Sequence, residues 1–337
     1  MCRFKVCAIR QKLSKDIVPG SVDELIGKMR RALGVRTFLR SRSGLVARLV
    51  RHPRPMSAPW RRNSLDIGRC GAMGDVLLCT PALRELKLKN PANCVRFYTD
   101  YPTLVRGLPY IDEVLAFNER PKDVILLQYE DAIPPRVHIA KIMGDNLGVN
   151  VSNVRPDCVI DLGLVKMFRE SWRSLPRPHI VVQRRASQWT PNKDWPEKYW
   201  IELIENLSRR ASVIEIGNEK LGQKISLKNY LDLRAQTTLE ELIAAIAAGD
   251  VLVGPASGPA HIAAAAGIPA VVIIGGYELP INSSYSGSVG LYTPVPCSPC
   301  WLTEPCPYDL KCLRMIRPNT VEDAVWGTLS KAQISFG

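Results

Sequence analysis

The stretch RCGAMGDVLLCTPALRELK, Arg69 to Lys87, constrains this 337-residue chain more than any other. A short apolar run, Leu65 to Ile67, leads into a turn holding Gly71 and Gly74, and Asp75 follows at once. Core-facing residues then recur at Val76, Leu77, Thr80, Leu83 and Leu86, close to helical spacing. Pro81 fits the first turn of that helix, where a missing N–H costs nothing. The segment therefore reads strand, glycine turn, helix, with one carboxylate at the helix start. Open α/β sheets place their chemistry at the C-terminal ends of parallel strands. Asp is also a favoured helix cap, so a purely capping role for Asp75 stands beside a chemical one. The glycine spacing is not that of a dinucleotide fingerprint.

Charge is distributed unevenly. The formal net charge is +13, and residues 1–62 hold 16 Lys or Arg against 3 Asp or Glu. The remainder holds 29 of each sign. A basic arm thus precedes a neutral body. Within the arm, residues from Val22 to Leu39 alternate apolar and basic positions as an amphipathic helix would, and His52 to Pro59 reads as a linker. Such a helix suits an anionic membrane surface. Nucleic acid attracts the same charge, and a plain basic tail is the third reading. No apolar run reaches the roughly 18 residues of a membrane span. The N-terminus lacks the apolar core of a signal peptide. These features point to a cytoplasmic protein, at the inner membrane face if the arm binds lipid.

The body divides into two βα-rich halves, residues 63–175 and 176–318, followed by a helix and tail at 319–337. In the first half strands are expected at Val95 to Thr99, Val114 to Phe117 and Asp123 to Gln128, with a helix from Arg136 to Leu147. Residues 151–178 are mixed and proline-bearing, and the crossing between halves is placed near 172–178. The second half alternates more clearly. Strands are expected at Ile180 to Gln183, Val213 to Ile216, Val251 to Val253 and Ala270 to Ile274. Helices are expected at Glu197 to Arg210, Leu239 to Ala248 and Pro259 to Ala266. This alternation implies parallel sheets covered on both faces, with a cleft between the two halves.

Two further segments carry chemistry. In LVGPASGPAHIAAAAGIPAVVIIGG, a buried strand ends at Gly254-Pro255, and Ser257 and Gly258 open a helix of small residues. Its free N–H groups and dipole suit a phosphate, and His261 lies in its first turn. A structural hydrogen bond is the alternative for His261. In TPNKDWPEKYWIELIENL, Lys193 sits in a loop after a strand, facing the expected cleft; an ordinary solvated lysine is the alternative unless an anion site lies beside it.

Together these segments resemble the lipopolysaccharide heptosyltransferases of glycosyltransferase family 9, over roughly residues 63–325. The resemblance continues through DLRAQTTLEELIAAIAAGD, PCSPCW and the stretch from Pro318 to Val325. It implies a GT-B fold: two Rossmann-like domains, an acceptor domain and a nucleotide-sugar domain, with the active site between them. It implies that Asp75 acts as base on the acceptor hydroxyl. Lys193 would hold the donor diphosphate, and Gly74, Ser257, Gly258, Pro259 and His261 would line the donor site. Inverting transfer of this kind needs a positioned base and positive charge on the departing diphosphate, and no catalytic cofactor. The implied donor is a nucleotide sugar, plausibly an ADP-heptose, and the acceptor a lipopolysaccharide or other surface glycan, or a lipid-linked one. The sequence departs from the family at Ala256, where an Asp is usual. A non-catalytic relative that binds a nucleotide sugar or a partner is the alternative. A nucleic-acid binder is disfavoured because the body is neutral.

Four cysteines, Cys297, Cys300, Cys306 and Cys312, follow a C-x2-C-x5-C-x5-C spacing. The C-x2-C start is typical of a thiolate site, so a structural Zn or Fe ion is one expectation. Free thiols and disulfides are the others. Cys2, Cys7, Cys70, Cys79, Cys94 and Cys158 read as ordinary thiols.

Overall fold

The structure, a computed structural model, describes residues 64–186, 189–220 and 222–334. The basic arm, with Cys2 and Cys7, lies outside the described residues. The first half begins with β1 (Ser64–Arg69), which runs into α1 (Met73–Lys89). There follow β2 (Cys94–Thr99), the single turn α2 (Pro102–Val105), β3 (Glu113–Ala116), β4 (Ile125–Leu126) and α3 (Ile139–Asn146). Among the described residues these strands form one parallel sheet in the order β3-β2-β1-β4. β4 is shorter than the sequence pattern suggests. Beyond it, the Gln128 N–H leaves the sheet and donates to the Asn146 side chain at 2.7 Å.

Pro81 is not in the first turn of α1 but in its middle. A proline there deprives the carbonyl four residues back of its donor. Here the Thr80 hydroxyl donates to Leu77 O at 2.7 Å and supplies the missing bond. The same oxygen accepts the Asp157 N–H at 2.8 Å, tying the outgoing chain to α1.

A helix that the sequence reading missed, α4 (Leu162–Ser171), follows. Asp161 caps it, accepting from the N–H groups of Gly163 and Leu164. It packs on the second half: Arg169 donates to Ala247 O at 3.2 Å. The chain therefore leaves the first sheet before Asp161, earlier than the prolines of residues 172–178 imply. The cap and the apolar spacing of Val165, Phe168 and Trp172 were the available signal.

The second half contains β5 (His179–Gln183), α5 (Glu197–Ser208), β6 (Ser212–Ile216), β7 (Tyr230–Asp232), α6 (Leu239–Ala248), β8 (Val251–Pro255), α7 (Gly258–Ala266), β9 (Ala270–Gly275), β10 (Val289–Tyr292), α8 (Lys311–Met315) and α9 (Pro318–Ile334). Its strands are parallel, in the order β10-β9-β8-β5-β6-β7. The central strands β5, β6 and β8 are wholly buried, as expected for near-continuous apolar runs covered on both faces. The edge strands β7 and β10 are half-buried and lack such runs, so they left no sequence signal.

Small residues govern how the layers approach. α7 closes with Gly267 in a left-handed conformation, φ +75°. One apolar core joins α1 and α3 to Val181, Leu252, Ile262 and Ala263 of the second half. A second core sits on the other sheet face, where Val321, Val325 and Leu329 of α9 meet Leu203, Ile204 and Leu207 of α5. Among the described residues no helix is long and apolar enough to cross a membrane.

Candidate active site

A cleft of about 570 Å³ opens where the C-terminal ends of β1, β5, β8 and β9 converge. From the first half, β1 delivers Arg69 to its edge. Gly71 then turns the chain at φ +118°, and a Cβ there would lie 2.7 Å from Asp75 Oδ2. Only glycine combines that backbone with that proximity. Asp75 occupies the third position of α1, not its cap, which is Ala72. Its Oδ2 nevertheless accepts the Ala72 N–H at 2.9 Å, and its Oδ1 accepts the Tyr129 hydroxyl at 3.1 Å. The Asp75 carboxylate thus closes a capping bond at the helix start and also lines the cleft. The Arg69 guanidinium lies 3.5 Å from Asp75 Oδ1, forks onto Glu130 at 2.7 and 3.1 Å, and sits over the Tyr129 ring. Burial and the Asp75 charge push the Tyr129 phenol well above its usual range, which keeps it a donor.

The opposite wall is the start of α7. Neither α1 nor α7 has a side-chain cap on its N-terminal N–H groups, and both starts line the cleft. Orphan N–H groups and the positive dipole end make each an anion-binding feature. The Ser257 hydroxyl donates away from its helix, to Gln183 Oε1 at 2.6 Å. The two helix starts abut directly. A Cβ on Gly74 would lie 2.9 Å from His261 Cδ2, and one on Gly258 would run into the Met73 side chain.

His261 shares a 2.6 Å hydrogen bond between Nδ1 and the Tyr285 hydroxyl. Burial lowers its pKa to about 4, so it is neutral near pH 7. It lines the cleft and makes the structural bond as well. His138, at the cap of α3, lies edge-on to the same Tyr285, and burial also lowers its pKa to about 4. Asn282 ties this region across the halves, donating to Pro135 O at 2.9 Å and Val137 O at 3.1 Å.

Lys193 ends a 3-10 turn, Pro191–Lys193, that Thr190 caps. Its ammonium donates to Glu278 at 2.9 Å and to Ala256 O at 3.3 Å, above the Tyr277 ring. The cleft thus gathers Gly74, Asp75, Lys193, Ser257, Gly258, Pro259 and His261, all singled out from sequence. It also holds Arg69, Tyr129, Glu130, Tyr277, Glu278 and Trp301, which were not. Arg69 and Glu278 each sit at or just beyond a strand's C-terminal end, a position that could have flagged them. Tyr129 lies in irregular chain and gave no signal.

The four C-terminal cysteines were left with three readings, a metal site, free thiols or disulfides. Among the described residues no three His, Cys, Asp or Glu side chains are arranged to hold a metal ion, and the thiols of Cys297, Cys300, Cys306 and Cys312 are free. The loop is instead pinned by backbone and amide bonds. Asn192 donates to the carbonyls of Leu302 and Glu304 and accepts the Cys306 N–H, and the Cys300 N–H donates to Gly276 O. Burial raises the Cys312 thiol, with smaller contributions from Cys300 and Cys306. The spacing left a metal site, free thiols and disulfides open; in the structure the Asn192 side chain anchors the loop.

The profile of glycosyltransferase family 9 (heptosyltransferase) matches residues 137–281. Lipopolysaccharide heptosyltransferase 1 of Pseudomonas aeruginosa is 26% identical over 166 residues, 46% of this chain and 44% of the relative. The match thus spans under half of that relative's length. Among solved structures, the iron-containing dodecameric glycosyltransferase TibC of enterotoxigenic E. coli H10407 superposes with a TM-score of 0.63 at 18% identity, over 82% of this chain and 80% of TibC. ADP-heptose LPS heptosyltransferase II of E. coli gives 0.59 at 17% identity, over 80% of this chain and 99% of that one. These two likenesses bear on the fold, the GT-B arrangement of two parallel-sheet halves about a cleft. The segment at residues 137–281 is thus similar to glycosyltransferase family 9 (heptosyltransferase), and the fold is similar to that of solved heptosyltransferases.

Proposed function

We propose that the chain moves a sugar from a nucleoside-diphosphate donor to a hydroxyl of a lipopolysaccharide or related surface-glycan acceptor, with inversion at the transferred carbon. The observation that carries this reading is the placement of Asp75 in one cleft with Lys193 and the uncapped start of α7. In this account the first half binds the acceptor and the second the donor. Asp75 takes the proton of the attacking hydroxyl, while the hydrogen bonds from Tyr129 and Ala72 fix its carboxylate. The acceptor oxygen attacks the anomeric carbon from the face opposite the diphosphate. The charge that develops on the leaving diphosphate meets Lys193 and the N–H groups of α7, which are fixed before the reaction begins.

TibC has been solved in complex with ADP-D-β-D-heptose, which supports an ADP-heptose as donor here. The same relative is iron-containing. The arrangement of the four cysteines in this structure does not fit an ion, and no step of the transfer is assigned to one. Metal analysis of the purified chain tests that point. The arm at residues 1–62 is proposed to bring the protein to the anionic cytoplasmic membrane face, which vesicle flotation with and without those residues would test. Ala256 favours the second reading, a relative that binds nucleotide sugar without transferring it. Incubating the full chain with ADP-heptose and a lipopolysaccharide acceptor decides between them. Release of ADP with a glycosylated acceptor supports transfer; saturable ADP-heptose binding with no product supports the binder.

A further inference from the structure

Among the described residues lining the cleft, the cations are Arg69 and Lys193, and the carboxylates are Asp75, Glu130 and Glu278. His261 is neutral near pH 7. For a site read as taking a diphosphate, that balance is unusual. Each cation has its own acid: Arg69 is forked by Glu130, and Lys193 is paired with Glu278. The two pairs differ in setting. Glu130 is half-exposed, whereas Glu278 is 3% exposed. One oxygen of Glu278 takes the Lys193 ammonium at 2.9 Å, and the other accepts the Ser283 hydroxyl at 2.5 Å. A carboxylate so enclosed is poorly screened, so its field acts on whatever approaches Lys193.

We infer that Glu278 is an internal counter-ion for Lys193 that weakens the hold of the cleft on a nucleoside diphosphate and so eases departure of the diphosphate product. This rests on the reading of Lys193 as a diphosphate ligand. Without ligand, Glu278 keeps the ammonium aimed into the cleft, beside Ala256 O and over Tyr277. When a diphosphate arrives, it shares that ammonium with a fixed negative charge. Affinity comes from the start of α7 and Lys193, and Glu278 limits it. The product carries one more ionisable phosphate oxygen than the sugar diester, so the repulsion falls harder on the product.

Calorimetric titration of the full-length protein with ADP, and with adenosine as the uncharged control, tests this directly. Glu278→Gln keeps the size and removes the charge, its amide oxygen still able to accept from Lys193 while its NH2 donates to the Ser283 hydroxyl; ADP should bind roughly tenfold tighter, with adenosine unchanged. In a Lys193→Met background, the same substitution should change ADP affinity less than twofold, because the partner it acts through is gone. Ser283→Ala, which leaves the charge in place, should shift ADP affinity less than twofold. Should Glu278→Gln fail to fold, Glu278→Asp draws the carboxylate back by one methylene, and at least threefold tightening is expected. Unchanged or weaker ADP binding in the Glu278 variant overturns the counter-ion role. An equal loss in Glu278→Gln and Ser283→Ala would mean that Glu278 only positions the lysine, which also overturns it. If Lys193→Met alone leaves ADP affinity intact, the diphosphate reading of Lys193 fails first and is identified as the failing premise.

Discussion

The cleft is built from two strand–turn–helix units that meet head to head, and they solve opposite problems. The β1–α1 unit brings a carboxylate to a helix start and holds it with Tyr129, Ala72 and Arg69. The β8–α7 unit keeps its helix start bare: its serine points away and its histidine is neutral. Under the proposed transfer, one side takes a proton and the other receives an anion. The glycines at Gly74 and Gly258 let the two starts touch. In that proposal, the difference between the units is what lets the pair carry out one reaction.

The sharpest way to break this comparison is to remove the acid from one side only. Asp75→Asn should lower transfer from ADP-heptose by about 10³-fold, the range of a lost general base, while ADP affinity on the other side stays within about twofold. Steady-state transfer assays and calorimetry on the same preparation check both halves of that statement.

Next in size is an effect of pH on stability. His138 and His261 titrate near 4 in the folded protein and near 6.5 when unfolded. The unfolded chain therefore binds protons that the folded one refuses as pH falls from about 6.5 towards 4. Stability from keeping both rings neutral is full above that window and is lost within it, at roughly 3 kcal/mol for each histidine. Denaturant unfolding at pH 7, 5.5 and 4.5 reads this directly. A flat profile would show that these rings are not held neutral at the meeting of the halves.

The two glycines should respond unequally. Gly74→Ala presses a methyl onto the His261 ring, which Tyr285 holds, and should cost about 1–3 kcal/mol of stability. Gly258→Ala meets the flexible Met73 side chain and should cost about 1 kcal/mol or less. Equal losses would mean that the contact is softer than the geometry implies. Of modest size too is the effect of Tyr129→Phe, which removes one hydrogen bond to Asp75 and should lower kcat about tenfold with KM unchanged.

Much of this was legible beforehand because both units are local. Glycine turns, helix starts and apolar runs are written within about twenty consecutive residues, and they located Asp75 and Ser257 without any tertiary information. The edge strands β7 and β10 escaped because they are short and half-buried, and Pro81 misled because Thr80 repairs its missing bond. Glu278 and Tyr129 escaped for a different reason. Their meaning lies in partners 85 and 54 residues away, Lys193 and Asp75, and no spacing rule reports a pair at that range. The cysteine spacing is the converse case, a moderate local pattern that left several readings open, and among the described residues no three candidate ligands gather for a metal ion.

The central claim is that one cleft holds the acid and the anion site face to face. A crystal structure of the full chain soaked with ADP tests it most directly. The account predicts the diphosphate at the start of α7, within hydrogen-bond distance of the Gly258 N–H and of Lys193, with Asp75 across the remaining gap. A diphosphate seated elsewhere, for instance in the neighbouring recess between Arg184 and Arg234, would contradict it.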